Sequence, residues 1–261
     1  MGELLIIEPI DLRYQGAAPR ITISAGMGGA NLITNDPREI WIDTNSGNGR
    51  FIEIDLGKDV EYDAIYLGNT NAEAGNVWSI EWGLEVHQGY PGAYFYSFPM
   101  RLPAADGMVT PRGDCLYLAP AKVTARYIRI TVSRAFGTPL EIGRVIIGKA
   151  FRPLYSKETG SSRTPTDTGA RNRLDDGGLV TVSGSLTCGF KWVFGDLSDA
   201  DANALWGIMR RRRTTEPILV IEDDASLSAE SVHYCTMNEL EGYVRADPSK
   251  NRIAMTVEDW L

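Results

Sequence analysis

"ARYIRITVS", residues 125–133, decides the fold of the first half of this chain. Tyr127, Ile128, Ile130 and Val132 are apolar, with Arg129 and Thr131 set between them. A period of two sends alternate side chains to opposite faces of a strand, one toward a core and one toward water. "RFIEIDLG" (50–57) reads the same way, with Phe51, Ile54 and Leu56 apolar among polar neighbours. Around these lie "RITISA" (20–25), "EIWID" (39–43), "DAIYLGN" (63–69), "WSIEWGLEV" (78–86), "CLYLA" (115–119) and "EIGRVIIG" (141–148), all rich in β-branched and aromatic residues. Gly, Asn and Pro mark the turns in "NSGNG", "NTNAEAGN", "QGYPGAY" and "PAADGM". Short strands with no helical run between them predict an antiparallel β-sandwich over 1–150.

The character changes after residue 150. "FRPLYSKETGSSRTPTDTGARNRLDDGG" is 28 residues of mostly polar, turn-forming sequence. That is long for a simple connection, so 151–178 reads as an extended polar arm or a linker. "LVTVSGSLTCGFKWVF" (179–194) reads as a strand pair. A helix follows: Ser198 is placed to cap it, Asp201 takes the capping-box position, and acidic residues fill the first turn. Ala202, Leu205, Trp206 and Met209 then fall at helical spacing on one face. Strand signals recur in "PILVIED" (217–223), "SVHYCTM" (231–237) and "RIAMTVEDW" (252–260). Residues 179–261 are therefore predicted to form a smaller α+β domain with one helix, in a chain that is mainly β.

The 261 residues carry a net charge of −8. Residues 1–150 hold 13 basic and 17 acidic side chains, and 151–261 hold the same numbers. No basic face of the kind nucleic acid demands is indicated. The three cysteines, Cys115, Cys188 and Cys235, are odd in number and far apart, with no CxxC. They read as buried thiols of a reducing compartment rather than a disulfide frame or a zinc site. "MGELLIIEPIDL" lacks a basic leader region and reads as a first strand rather than a signal peptide. No apolar run approaches the roughly 18 residues of a membrane span, so no membrane insertion is expected.

Catalytic vocabulary is sparse. The two histidines, His87 and His233, assemble no Ser-His-Asp, Cys-His or HExxH pattern. "GMGGAN" (26–31) precedes a loop and strand, not the helix that a phosphate site needs. "RRRR" (210–213) is read either as a helix end complementing its dipole, as an anion patch, or as an inter-subunit strip. "IEDDAS" (221–226) lacks the spacing and glycine of a calcium loop. "YPGAYFYSF" is different. Tyr90, Tyr94, Phe95, Tyr96 and Phe98 crowd into nine residues just after His87. Aromatic rings with polar tips are what sugar rings and protein partners stack upon, and the same run also reads as a core strand.

"NLITNDPREIW" (31–41), "RFIEIDLG", "ARYIRITVS" and "RVIIG" stand in the order found in the discoidin-type, galactose-binding-like β-sandwich family. The resemblance covers roughly residues 20–150. It implies a sandwich that binds glycans, lipids or proteins through loops at one end. Some members bind calcium there. Aligned without gaps, their loop aspartate falls on Thr34, the glycine on Asn35, the threonine on Glu39 and a glutamate near the last strand on Gly143. Only Asp36, Glu39 and Glu141 remain as metal candidates, and a bound metal is not expected. The second half, from "EIGRVIIGKAFRP" through "RTPTDTGARNR" and "FGDLSDADANALWGIMRRRRTTEPILVIEDD", resembles minor or distal tail-tip proteins of long-tailed bacteriophages and prophages.

That second resemblance implies a non-enzymatic structural protein of the virion tail, made in the bacterial host cytoplasm. It would assemble with itself and with tail tube, hub or fibre proteins in the baseplate. Arg163, Arg171, Arg173 and Arg210, Arg211, Arg212 and Arg213 are the candidate assembly residues. The alternative is a carbohydrate-binding module for a host surface glycan, with His87, Tyr90, Tyr94, Phe95, Tyr96 and Phe98 as candidate ligand residues. A cell-wall hydrolase or lyase would need paired carboxylates, and Asp175/Asp176 and Asp223/Asp224 show no such pairing in the sequence. No cofactor is expected.

Overall fold

The computed structural model describes residues 3–13, 20–44, 49–73, 75–84, 92–94, 101–104, 112–133, 138–155, 157–242, 244–247 and 250–260. The chain forms two compact units, 1–151 with 221–232 and 152–220 with 233–261. Residues 152–178 thus lie within the second unit, and 221–232 lie with the first.

The first unit is an antiparallel β-sandwich. Its strands are β1 (Leu5–Pro9), β2 (Arg20–Ile23), β3 (Trp41–Asp43), β4 (Arg50–Thr70), β5 (Val77–Gly83), β6 (Gly92–Tyr94), β7 (Gly113–Ser133), β8 (Leu140–Ile142) and β9 (Arg144–Phe151). Four of the stretches read as separate strands fuse in pairs. "RFIEIDLG" and "DAIYLGN" are one strand of 21 residues, and so are "CLYLA" and "ARYIRITVS". β4 and β7 pair along their whole length, with register shifts at Asp55/Val60 and Tyr62/Ala64. Gly57, at φ +76°, sits at this break, where a residue without Cβ takes a left-handed conformation at no steric cost. β2 and β5 pair with the halves of β4 and β7 on one side of the break, and β9 pairs with β4 on the other. The β4/β7 pair therefore turns from one layer into the other.

Alternation builds the core between the layers. Ile52, Ile54 and Leu56, Ile128, Ile130 and Val132, and Trp78, Ile80 and Trp82 come from one layer. Ile65, Leu67, Cys115, Tyr117, Val145 and Ile147 come from the other. Phe51 does not belong to this set, contrary to the reading of its strand. It lies on the opposite face, with the Arg129 guanidinium 4.2 Å above its ring. Ile52 takes the core position instead. A 3₁₀ turn at Gly29–Ile33 seats Leu32 in the core beside Trp41. The Trp41 indole N–H donates to the Ala25 carbonyl at 3.0 Å. The indole can be fully buried because its one polar atom is satisfied.

The second unit holds β10 (Ser162–Asp167), β11 (Ala170–Arg173), β12 (Leu179–Val182), β13 (Leu186–Leu197), α1 (Asp199–Arg212), β14 (Ile218–Ile221), β15 (Val232–Met237), β16 (Val244–Asp247) and β17 (Lys250–Asp259). α1 is the one α-helix among the described residues, as expected. The Ser198 hydroxyl accepts the Asp201 N–H at 3.1 Å and donates to the Asp201 carboxylate at 2.9 Å. Ala202, Leu205, Ile208 and Met209 are its buried residues. Trp206, read as part of that face, is only half-buried, and Ile208 replaces it.

The strands expected to pair within 179–194 do not pair with each other. β12 pairs with β11, and β13 pairs with β10 and β17. The result is one long hairpin running from Ser162 to Lys191. Thr168 and Ser185 bridge its two stretches of ladder through three hydrogen bonds of 2.8–3.1 Å. Its tip closes where Leu174 N–H donates to Gly178 O at 2.8 Å and Asp176 accepts the Gly178 N–H at 2.8 Å. Every residue of β11 and β12 is exposed. Leu174, Leu179, Val180, Val182 and Leu186 stand 45–65% open to solvent along this hairpin.

Candidate functional site

One end of the sandwich gathers the polar side chains. Thr70 at the end of β4 pairs with Gly113 at the start of β7, and Gly68 pairs with Arg144 at the start of β9. Turns meet at this end because all three strands stop there. Arg112, just before β7, donates through Nη1 to the Asn69 carbonyl at 3.2 Å. Its Nη2 donates to the Glu141 carboxylate on β8. Arg101 donates to the Arg112 carbonyl at 2.7 Å. The Asn69 N–H donates to Asp114 at 2.9 Å. Asn71 accepts the Glu141 N–H at 2.9 Å and donates to the Pro139 carbonyl at 3.2 Å.

The cluster is fixed by strand ends, yet open. The Arg112 and Glu141 side chains keep 37% and 25% of their surface. A guanidinium beside a carboxylate offers planar donors and acceptors side by side, which suits neighbouring hydroxyls that both give and take a hydrogen bond. Sequence reading singled out Glu141 alone, as a metal candidate. Asn69 and Asn71 fall where the strand reading "DAIYLGN" meets the turn "NTNAEAGN", and Arg101, Arg112 and Asp114 are not singled out.

The other expected residues are placed as follows. Tyr94 ends β6, with its Cα opposite Ile80 at the sheet edge. His87, Tyr90, Phe95, Tyr96 and Phe98 lie outside the described residues. His233 is buried, 4.1 Å from the Phe190 ring and 3.4 Å from the Asp259 carboxylate. Asp223 closes a local turn by accepting the Ala225 N–H at 3.0 Å, and Asp224 accepts the Glu3 N–H at 2.8 Å.

Two of the three metal candidates, Asp36 and Glu141, are committed to arginines. Asp36 accepts from Arg38 Nε at 2.9 Å and Nη2 at 2.8 Å. The Arg38 guanidinium holds this carboxyl below its ordinary range. Glu39 points to solvent and Glu141 pairs with Arg112. No group of three His, Cys, Asp or Glu gathers among the described residues. Of the assembly candidates, Arg171 and Arg173 lie two apart on exposed β11, and Arg163 covers the Phe190 ring at 5.3 Å. Arg210, Arg211 and Arg212 close the last turn of α1, where cations complement the dipole, and Arg213 caps it. A separate cleft of about 300 Å³ in the second unit is lined by Asp199, Ala202, Asn203, Arg245 and Asn251. There Asn251 donates to Asp199 at 2.7 Å.

No protein-family model matches the chain, and no curated protein matches it. Among solved structures it is similar to CpGH89CBM32-6 of Clostridium perfringens, at 13% identity over 53% of this chain and 98% of that one, with a TM-score of 0.41. It is similar to chitosan-binding module 1 of a chitosanase/glucanase from Paenibacillus sp. IK-5, at 14% identity over 54% and 98%, with a TM-score of 0.40. A family 32 module of C. perfringens NanJ in complex with galactose gives 11% identity over 49% and 92%, with a TM-score of 0.37.

Proposed function

We propose that the first unit is a non-catalytic carbohydrate-binding module that takes a glycan at the end of the sandwich where β4, β7 and β8 stop. The observation that carries this reading is the half-open Arg112–Glu141 pair, held in place by Asn69, Asn71 and Arg101. The aromatic run, Tyr90 to Phe98, includes Tyr94 on β6 and ends shortly before Arg101 of this cluster in the sequence. Polar groups for the hydroxyls and ring faces for stacking are the two things a sugar needs.

Galactose and the Lewis B antigen, each bound in one of the solved structures similar in fold, are the first probes. The expected result is saturable binding by calorimetry, weakened by Tyr94→Ala, Tyr96→Ala and Glu141→Gln in folded protein. A glycan array on which the full chain retains nothing would sink the reading.

A second reading is favoured by the hairpin. We propose from the five apolar side chains on this exposed ribbon that the chain is a structural component assembling with copies of itself, and the resemblance of the second half suggests a phage tail tip as the assembly to test. Light scattering showing only monomers at every concentration would remove it.

A further inference from the structure

The 31–41 loop turns two backbone carbonyls inward. The Thr34 oxygen accepts from Arg144 Nη1, and the Pro37 oxygen accepts from Asn69 Nδ2 at 2.6 Å. Arg144 is only 7% exposed, although it carries a full charge. Its neighbour Gly143 donates its N–H to Gly68 at 3.0 Å and anchors the position. Inward carbonyls plus carboxylates would make a calcium loop, and calcium-binding members of the family that the sequence resembles use this place. The donor set here does not fit. Calcium takes six or more oxygens, with carboxylates among them. Thr34 and Gly143 bring none, Asp36 gives both oxygens to Arg38, Glu141 gives one to Arg112, and Glu39 faces solvent. A guanidinium against the Thr34 carbonyl also repels any dication that approaches it.

We infer that Arg144 is the resident cation of this loop. Its guanidinium, attached to β9, holds the Thr34 carbonyl where a dissociable ion would otherwise be needed, and the loop is ordered without metal. An arginine does not deprotonate in proteins, so the hold persists across the pH range in which the protein is folded. The inference is independent of any glycan at the same end.

The test compares thermal unfolding and amide hydrogen exchange of the full chain in EDTA and in excess calcium. The expected result is an unchanged Tm and unchanged protection of the Asn31, Thr34 and Glu39 amides, whose bonds run to Gly28, Asn31 and Asp36. Arg144→Met is expected to lower protection of these amides roughly tenfold or more, as for a lost hydrogen bond to a charged group, with no rescue by calcium. Arg144→Lys restores part of it. A saturable calcium-dependent rise in Tm or in loop protection of the wild type overturns the inference, and so does an Arg144→Met loop protected as before. Should Arg144→Met not fold, the wild-type comparison decides alone.

Discussion

A Cβ on Gly143 would stand 1.9 Å from the Pro37 carbonyl oxygen and 2.9 Å from its carbonyl carbon. The same oxygen accepts the Asn69 side chain at 2.6 Å. Gly143 is therefore glycine because the 31–41 loop lies directly upon it. Gly143→Ala must push the loop away and break the Asn69 bond. Overpacking of this kind costs about 1–3 kcal/mol. Urea unfolding is expected to show that loss as a lower midpoint with an unchanged slope. A change within about 0.3 kcal/mol would mean the loop shifts freely.

Trp41 offers a second measure of the same region. Its indole is fully buried and donates to Ala25. Trp41→Phe keeps an aromatic ring but leaves the Ala25 carbonyl without this donor, a loss of about 1–3 kcal/mol. Trp41→Ala also opens a cavity and is expected to cost about 3–5 kcal/mol. Equal losses for the two variants would show that the hydrogen bond, not the packing, holds Trp41.

The sandwich was legible because period-two alternation survives in strands such as 125–133, where Ile128, Ile130 and Val132 all face the core. Register was not. "RFIEIDLG" contains apolar residues at 51, 52, 54 and 56, and a single slip decides whether Phe51 or Ile52 goes inside. The fusion of strands into β4 and β7 was hidden because the polar residues that follow Gly57, and the 120–124 stretch in β7, break the apolar alternation that marked each strand. The hairpin escaped because β10, β11 and β12 are exposed throughout, so no periodicity marked which segments pair. The polar cluster is long-range. Arg112 and Glu141 are 29 residues apart, and only the meeting of strand ends brings them together.

Asp36 and Arg38 give a pH dependence with a defined sign. Chiefly through its hydrogen bond to Arg38, the Asp36 carboxyl titrates below its ordinary value of 3.8. A depressed folded-state pKa contributes stability that is fully present above that ordinary value and is lost as pH falls through the folded one. The Arg38 side chain is 70% exposed, so the effect is small and screened by salt. Protection of the Glu39 amide is expected to fall as the pH drops below the ordinary carboxylate value, and Arg38→Ala should flatten that fall. A fall of the same size in Arg38→Ala would assign it to another carboxylate.

The three thiols separate by burial. Cys115 and Cys235 are closed off from solvent, and burial pushes both thiols well up, while Cys188 is half-buried. The thiolate is the reactive form, so access and ionisation act in the same direction. A disulfide reagent at about pH 8 is expected to modify Cys188 in the folded protein. Cys115 and Cys235 should react only as fast as the chain opens. Cys188→Ser should remove the fast phase and leave the slow one. Cys115 lies in the first unit and Cys235 in the second. In Cys188→Ser, the further change Cys115→Ser isolates Cys235, and Cys235→Ser isolates Cys115, so each slow rate reports the opening of one unit. Denaturant should accelerate each slow rate with a slope that grows with the surface its own unit exposes. A slow rate unaffected by denaturant would show that its thiol is reached by local breathing, and the burial argument would fail for that cysteine.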